Sequence, residues 1–213
     1  QVLEEQLDMP LRDVLKLMQK GMMQQSSYFG VQAWKCPTDF WIYQEILFET
    51  RPDVVLEIGC NRGGGSLALQ HICNNLGHGR VISVDISLEK LAPAVRANEH
   101  ITFIEADASL CFDQVRALIG AEERVLVIED SSHTYENTLA VLRQYASLVK
   151  VGDYFIVEDS ICDHGLAMSN DPQPGPYEAI EAFVAENPDF AIDRDRERFL
   201  ITWNPKGYLQ RVR

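Results

Sequence analysis

The sequence predicts one α/β domain built on a mostly parallel sheet with helices on both faces. The chain has 213 residues and a hydrophobic content of 46%, which is enough for one domain with a sizeable core and too little for two. Short apolar runs alternate with longer helical stretches, as is typical of a buried parallel sheet. A glycine-rich turn follows the first of these runs and precedes a helix, which is the order found in nucleotide-binding α/β folds.

Two helices are predicted before the sheet. Between residues 11 and 25 the apolar side chains recur at helical spacing, which indicates an amphipathic helix. After a turn at residues 28–30, Thr38 or Asp39 is expected to cap a second helix that runs towards Thr50.

Five short apolar runs are predicted to form the parallel part of the sheet. They are residues 54–58, 81–84, 102–104, 125–128 and 154–157. A helix over residues 135–149 is predicted between the fourth and fifth strands. Pro176 suits the first turn of a further helix. Residues 190–192 and 199–203 are predicted to pair as a C-terminal antiparallel hairpin.

Composition and charge exclude several classes of function. The formal net charge is −13, which argues against an extended nucleic-acid-binding surface because such surfaces are built from Lys and Arg clusters. No uninterrupted apolar stretch has transmembrane length, and residues 1–20 lack the apolar core of a signal peptide. We expect a cytoplasmic protein that does not bind membranes; a first residue of Gln indicates that the native beginning has been trimmed.

The cysteines do not indicate a disulfide framework or a thiolate zinc site. There are five of them, an odd number, and none forms a C-x-x-C pair. We expect reduced thiols packed as small hydrophobic side chains.

The glycine-rich turn predicts a nucleotide-like ligand. It spans residues 59–66, Gly-Cys-Asn-Arg-Gly-Gly-Gly-Ser, with a helix expected from about Leu67. Glycines let the backbone pass close to a ligand and leave helix-terminal N–H groups free to bind it. Asn61 stands where a dinucleotide fingerprint requires its second glycine, so pyrophosphate binding is disfavoured. The alternative interpretation is a tight turn without a ligand.

Acidic residues at the ends of the first three strands match one ligand in particular. Asp85 can accept hydrogen bonds from both ribose hydroxyls, although it can equally cap a helix beginning near Leu88. Asp107 can reach an adenine, and Glu57 an amino-acid ammonium group. Together they suit S-adenosylmethionine. The residues predicted to bind this cofactor are Glu57, Gly59, Asn61, Gly63, Gly64, Ser66, Asp85, Asp107 and Ala108.

A cluster of acids after the fourth and fifth strands predicts a metal site. Asp130, Glu158 and Asp159 should converge at the carboxyl edge of the sheet, where they would repel one another without a cation. Hard oxygen ligands favour Mg²⁺, with Mn²⁺ as an alternative. His133 is a candidate base that accepts the proton of a hydroxyl substrate; the competing interpretation is a structural histidine.

These residues belong to a pattern that resembles the cephalosporin hydroxylase and rhamnosyl O-methyltransferase family of class I methyltransferases, which have a Rossmann-like fold. The similarity covers almost all of the chain after residue 28. The chain differs from the family at two positions. Gly65 stands where the family often has a serine, and Ser132 stands where it often has an acidic residue. The matching stretches are Trp34 to Asp39, Tyr43 to Glu45, Arg51 to Asp53, Glu57 to Gly59 with the glycines, Gly77 to Ile82, Asp130 to Glu136, Ile156 to Asp159, Pro174 to Pro176, Arg198 to Leu200 and Asn204 to Leu209.

The resemblance implies a methyl donor, a metal and an assembly. It implies S-adenosylmethionine as donor, Mg²⁺ held by Asp130, Glu158 and Asp159, His133 as base, and a homo-oligomer. We expect residues 1–50 to form a helical lid or substrate segment of a single domain, with the methyltransferase core in residues 51–213.

The function expected is Mg²⁺-dependent methylation of a hydroxyl group on a small natural product, a sugar, polyol or phenol. Tyr28, Trp34, Trp41 and residues 160–174 are candidates for lining the acceptor pocket. A hydroxylase is an alternative, but the sequence offers no 2-His-1-carboxylate set. A non-catalytic S-adenosylmethionine-binding partner and a nicotinamide oxidoreductase are two further hypotheses.

Overall fold

The computed structural model describes residues 3–5, 7–162 and 173–213. Its helices are α1 (Leu11–Gln25), α2 (Pro37–Thr50), α3 (Gly64–Leu76), α4 (Pro93–Arg96), α5 (Phe112–Ala117), α6 (Tyr135–Tyr145) and α7 (Pro176–Glu186). Its strands are β1 (Ser27–Tyr28), β2 (Val31–Gln32), β3 (Val54–Ile58), β4 (Arg80–Asp85), β5 (Ile101–Glu105), β6 (Val125–Glu129), β7 (Tyr154–Val157), β8 (Phe190–Ile192) and β9 (Tyr208–Arg211).

The main sheet has the strand order β5-β4-β3-β6-β7-β9-β8 within the described residues. Strands β3 to β7 are parallel to one another, and β9 runs antiparallel between β7 and β8. The predicted mostly parallel sheet is therefore confirmed, and each of the five predicted parallel strands matches an observed strand to within one residue at either end.

Two apolar cores lie on opposite faces of this sheet. Alternate residues of a strand point to opposite faces, and accordingly Val54 and Leu56 join one core whereas Val55 joins the other. Helices α6 and α7 pack on the first face, and α2 and α3 on the second. Burying each Val, Leu or Ile side chain stabilises the fold by about 1.5–3 kcal/mol. The helices on both faces are thus held by the sheet itself.

Helix α2 begins earlier than the sequence predicts. Its N-cap is Cys36 and its first residue is Pro37, which supplies the backbone angle of a first turn and needs no hydrogen-bond partner. Thr38 and Asp39 do not cap the helix. Thr38 Oγ1 donates instead to the carbonyl oxygen of Ile201, at 2.6 Å, and Asp39 binds the same C-terminal segment.

The predicted C-terminal hairpin has the wrong second strand. Strand β8 pairs with β9, residues 208–211, and residues 199–203 form no strand. The physical reason is that the amide of Trp203 donates to the buried Asp39 carboxylate at 2.7 Å and its carbonyl accepts from Ile161 at 3.0 Å. These groups are therefore not available for a sheet ladder.

Two further expectations concern the cysteines and membranes. All five cysteines are free and buried, as predicted for thiols that pack as small hydrophobic side chains. Across residues 3–5, 7–162 and 173–213, no helix combines the length and apolarity that crossing a bilayer requires.

Candidate active site

The carboxyl edge of the parallel strands collects the predicted site residues. Asp85 ends β4, Asp107 follows β5, Asp130 follows β6, and Glu158 and Asp159 follow β7. Loops at this edge are where open α/β sheets bind ligands, so one edge carries both predicted subsites.

The glycine turn packs tightly against the segment that carries Asp130. Gly59 has φ +93°, and a Cβ placed on it would lie 1.9 Å from the Asp130 carbonyl oxygen. Asp85 fixes the next part of the turn, because its Oδ2 accepts the N–H groups of Cys60 at 2.9 Å and Asn61 at 2.8 Å. No α-helix begins near Leu88, since α4 starts at Pro93, so the proposed helix cap at Asp85 is not observed.

A cavity of about 260 Å³ opens over the glycine turn. It brings together most of the residues predicted to bind the cofactor and to act on the substrate. Gly63 and Ser66 do not line it, although Ser66 donates a hydrogen bond to the Glu57 carboxylate inside the turn. The predicted site residues along its walls are Glu57, Gly59, Asn61, Gly64, Asp85, Asp130, His133 and Asp159.

A second cavity of about 390 Å³ continues past the end of β5. Asp107 and Ala108 line it, and it shares Gly59 and Asp85 with the first cavity. The two cavities therefore adjoin at the first residue of the glycine turn and at the end of β4. Acidic side chains line both cavities, with Glu57 in the first and Asp107 in the second.

Asp130, His133 and Asp159 form a compact cluster of possible metal ligands, with ligand atoms that all lie within 4.8 Å of one another. His133 Nε2 lies 3.4 Å from Asp159 Oδ2 and 3.8 Å from Asp130 Oδ1. Both His133 and Asp159 have φ +54°, a left-handed conformation that clusters at functional sites. The buried Nδ1 of His133 has no hydrogen-bond partner among the described residues.

Lys35 occupies the other side of the same acids, and sequence reasoning missed it. Its Nζ donates to Asp130 Oδ2 at 2.6 Å and to Glu158 Oε1 at 2.7 Å, and it lies 3.5 Å from Glu57 Oε1. Glu158, predicted to share the metal with Asp130 and Asp159, is thus paired with an ammonium group. The only available signal was a lysine within the stretch from Trp34 to Asp39 that carries the family resemblance.

The electrostatics of the cluster favour an additional cation. Burial and the nearby Asp130 raise the pKa of Asp159 to about 6. The same two causes raise the pKa of Glu158 well above its usual range, against the attraction of Lys35. Raised carboxyl pKa values mean that the ionised forms are destabilised. A divalent cation bound by these oxygen atoms would reverse that destabilisation, so the residues present fit Mg²⁺.

A third cavity, of about 210 Å³, lies on the far side of His133 and Asp159 from the glycine turn. Trp34 lines both this cavity and the first one. Tyr28 lines a different cavity of about 210 Å³, and Trp41 lines none of these four cavities. Of the predicted acceptor-pocket segment, residues 163–172 lie outside the described part of the chain. The apolar lining of the third cavity consists of Met22, Met23, Trp34, Ile161, Cys162 and Trp203.

The sheet order, the glycine turn and the acids at one edge define the class I methyltransferase fold. Comparison with known proteins gives the particular family. The chain matches the family described as Rhamnosyl O-methyltransferase/CmcI over residues 20–212. It belongs to this family of O-methyltransferases, so the family, fold class and enzyme class expected from the sequence are confirmed.

Similar proteins support this membership. The rhamnosyl O-methyltransferase of Mycobacterium tuberculosis (strain ATCC 25618 / H37Rv) is 35% identical over 192 residues, which are 87% of this chain and 78% of that protein. A CmcI structure with Mg and SAM has a TM-score of 0.68 at 23% identity, over 88% of this chain and 77% of the other. An O-methyltransferase from Bacillus cereus in complex with SAH has a TM-score of 0.57 at 18% identity, over 88% of this chain and 86% of the other.

Proposed function

We propose that this protein transfers the methyl group of S-adenosylmethionine to a hydroxyl group of a small natural product in a Mg²⁺-dependent reaction. Among the acceptors expected from the sequence, a sugar is favoured over other polyols and phenols, because the curated relatives are named rhamnosyl O-methyltransferases. The observation that carries the proposal is a single cavity, lined both by the glycine turn and by the cluster of Asp130, His133 and Asp159.

The two adjoining cavities fit S-adenosylmethionine when its parts are matched to the acids. We assign Asp107 and Ala108 to the adenine, Asp85 to the ribose and Glu57 to the amino-acid ammonium group. Gly59 and Gly64 give the backbone the close approach that the ligand needs. Asn61 in place of a glycine disfavours NAD. Gly63 and Ser66 are proposed to shape the turn from behind.

The metal is proposed to lie among the oxygen atoms of Asp130, Asp159 and Glu158. When bound, S-adenosylmethionine supplies an electrophilic methyl group that the acceptor oxygen takes in line, and Mg²⁺ makes the acceptor hydroxyl more acidic. Asp130 and Asp159 hold their carboxylates towards the same point from two different strands. Mn²⁺ is a candidate substitute because it prefers similar ligands.

His133 is proposed to accept the proton of the acceptor hydroxyl at Nε2. This atom faces Asp159 and Asp130, and both carboxylates stabilise the imidazolium that forms. The left-handed backbone at His133 directs the ring into the wall that separates the first cavity from the third. A base in this wall can reach an acceptor on one side and a methyl donor on the other.

Isothermal titration with S-adenosylmethionine tests the proposal, with and without Mg²⁺ and with NAD as comparison. Binding of S-adenosylmethionine in the micromolar range, but not of NAD, is expected, followed by methyl transfer to hydroxylated acceptors. No binding of S-adenosylmethionine would exclude a methyltransferase. Tight binding of S-adenosylmethionine with no turnover on any acceptor would favour a non-catalytic binding partner. Iron-dependent oxygen consumption would favour a hydroxylase.

The third cavity is proposed to receive the acceptor. It shares Trp34, His133 and Asp159 with the first cavity, so an acceptor there would place its hydroxyl beside the proposed base. Apolar side chains suit the C–H face of a sugar ring or an attached aglycone. Met22 and Met23 come from α1, which supports residues 1–50 as a substrate segment packed on the core of residues 51–213.

Trp34→Ala is expected to raise KM for the acceptor by about tenfold, because it removes a large apolar surface from the proposed acceptor wall. The dissociation constant for S-adenosylmethionine should change by less than about threefold. Phe199→Ala is the control, since Phe199 is an aromatic side chain that is 43% exposed and lines none of these cavities. Equal acceptor KM values for the two variants would move the acceptor to another surface.

Assembly and location also stay proposals. We propose a cytoplasmic homo-oligomer, and two exposed apolar side chains on α2 support the oligomer. Trp41 is 59% and Phe48 65% exposed, and seven residues are about two helical turns, so both lie on one face. Light scattering of the purified protein should give at least twice the chain mass of 24.1 kDa. A monomer at micromolar concentration would contradict the proposal.

A further inference from the structure

Lys35 is a buried cation at the junction of the two proposed subsites. It lies between β2 and α2, and its side chain is 11% exposed. Its ammonium group contacts Asp130 and Glu158 and approaches Glu57. The three acids belong to different parts of the sheet edge, so one lysine connects the ends of β3, β6 and β7.

Three carboxylates surround the Lys35 ammonium group and favour its charged form. Burial alone would lower the pKa of Lys35, but the attraction of Asp130, Glu158 and Glu57 raises it well above its usual range. The contacts of Lys35 Nζ with Asp130 Oδ2 at 2.6 Å and with Glu158 Oε1 at 2.7 Å have the length of charge-assisted hydrogen bonds. An ammonium group in this position neutralises part of the acidic cluster. Buried carboxylates without such a partner would destabilise the fold.

Gly65 makes room for this arrangement. A Cβ at position 65 would lie 2.5 Å from Glu57 Oε1 and 2.8 Å from Lys35 Cε. These contacts are closer than side chains tolerate, so any larger residue would push Lys35 or Glu57 aside. The absence of a side chain at position 65 thus allows the lysine to stand beside Glu57.

Asp130 is shared between Lys35 and the proposed metal position. Its Oδ2 accepts a hydrogen bond from Lys35, whereas its Oδ1 lies 3.8 Å from His133 Nε2. Asp130 is also a member of the cluster with His133 and Asp159. A divalent cation on this carboxylate would lie close to the ammonium group, and like charges at this distance repel each other strongly in a buried site. To bind the metal, the Glu158 carboxylate must also either give up its hydrogen bond to Lys35 or contact Lys35 and the metal together.

We infer that Lys35 is an internal counter-ion, which stabilises the acidic cluster when no divalent cation is bound and lowers the affinity of the cluster for divalent cations. The inference rests on the proposed metal site. It makes Lys35 a positioning residue that holds Glu57, Asp130 and Glu158 in place in the metal-free protein. The metal then enters a preformed site by competing with the lysine.

The experiment is titration of Lys35→Met with Mn²⁺ alone, followed by electron paramagnetic resonance, without S-adenosylmethionine or acceptor. Methionine keeps the length of the side chain and removes its charge. The dissociation constant for Mn²⁺ is expected to fall by at least about tenfold. In EDTA the variant should melt about 10 °C below the wild type, and Mg²⁺ should restore much more of its Tm than it adds to that of the wild type.

Two matched variants separate this effect from general ones. Lys35→Arg keeps the charge and should bind Mn²⁺ within about threefold of the wild type. Lys90 is exposed and also lines the first cavity, so Lys90→Met tests whether loss of any nearby positive charge suffices, and it should leave Mn²⁺ affinity unchanged. If Lys35→Met does not fold, Lys35→Met/Glu158→Gln removes one charge of each sign and should recover most of the stability.

The outcomes distinguish this inference from the proposed function. If the wild type binds Mn²⁺ and Lys35→Met binds it no more tightly, the counter-ion role of Lys35 is overturned and the proposed metal site stands. If Lys35→Met binds Mn²⁺ and the wild type does not, the counter-ion role of Lys35 stands and the proposed metal dependence of the native enzyme is overturned. No Mn²⁺ binding by either protein would overturn both. A double variant as unstable as Lys35→Met would also contradict the inference.

Discussion

Asp159→Asn is expected to lower the rate of methyl transfer by about a thousandfold, which corresponds to about 4 kcal/mol of transition-state stabilisation. The substitution removes a charged oxygen ligand from the proposed metal position and the acid that faces His133 Nε2 at 3.4 Å. The dissociation constant for S-adenosylmethionine should stay within about threefold of the wild type, because Asp159 is assigned to metal and acceptor rather than to the methyl donor.

Asparagine is well matched to this position for a conformational reason. Asp159 has φ +54°, and Asn tolerates the left-handed region at least as well as Asp. The backbone N–H of Asp159 donates to Asn204 Oδ1 at 3.1 Å, and the substitution keeps this hydrogen bond because it changes only the side chain. Loss of activity would therefore report the missing charge and not a displaced loop. The control is Glu181→Gln, the same change of acid to amide at an exposed ion pair with Lys206.

Single-turnover methyl transfer and titration with S-adenosylmethionine check this prediction together. Unchanged turnover in Asp159→Asn would remove the cluster from catalysis. It would then support a cation-independent methyltransferase. Loss of both turnover and S-adenosylmethionine binding would instead place Asp159 in the donor site, against its assignment to metal and acceptor.

The parallel core could be predicted from the sequence because its signals are local. Each strand from β3 to β7 is a short apolar run, and the turn at residues 59–66 indicates the ligand-binding edge. Asp85, Asp130 and Asp159 then follow from one rule, that residues at the carboxyl ends of parallel strands meet. The family resemblance added the expected roles of these acids.

Features that depend on long-range contacts could not be predicted in the same way. Lys35 is 95 residues from Asp130 and 123 from Glu158, and no spacing in the sequence connects them. The wrong second strand of the hairpin has a similar cause. Residues 199–203 are apolar enough for a strand, but their backbone is held by Asp39, 164 residues from Trp203.

Asp39→Ala is expected to lower the free energy of unfolding by about 3 kcal/mol, and Tm by about 6–12 °C. Asp39 is 3% exposed, and its carboxylate accepts hydrogen bonds from the Thr202 hydroxyl at 2.5 Å, the Trp203 amide at 2.7 Å and the Tyr208 hydroxyl at 2.8 Å. Alanine would leave three buried donors without their acceptor. Thermal and urea unfolding of the purified variant measure the loss.

The control for this prediction is Asp13→Ala. Asp13 is an acid on the exposed face of α1, with a single weak ion pair to Lys16 at 3.6 Å, and its removal should change stability by less than about 0.5 kcal/mol. Tyr208→Phe removes one of the three donors. In a double-mutant cycle with Asp39→Ala it should show a coupling energy of about 1 kcal/mol; additive effects would mean that the carboxylate does not hold this segment.

The same variant connects stability to the acceptor cavity. Trp203 lines that cavity, and Asn204, the next residue, holds the amide of Asp159. Because Asp39 fixes the Trp203 backbone, its loss should raise KM for the acceptor even at temperatures where the protein stays folded. S-adenosylmethionine affinity should change less, since the glycine turn lies on the opposite side of the cluster. An Asp39→Ala protein with lowered Tm and an unchanged acceptor KM would show that the C-terminal segment supports the fold without shaping the acceptor cavity.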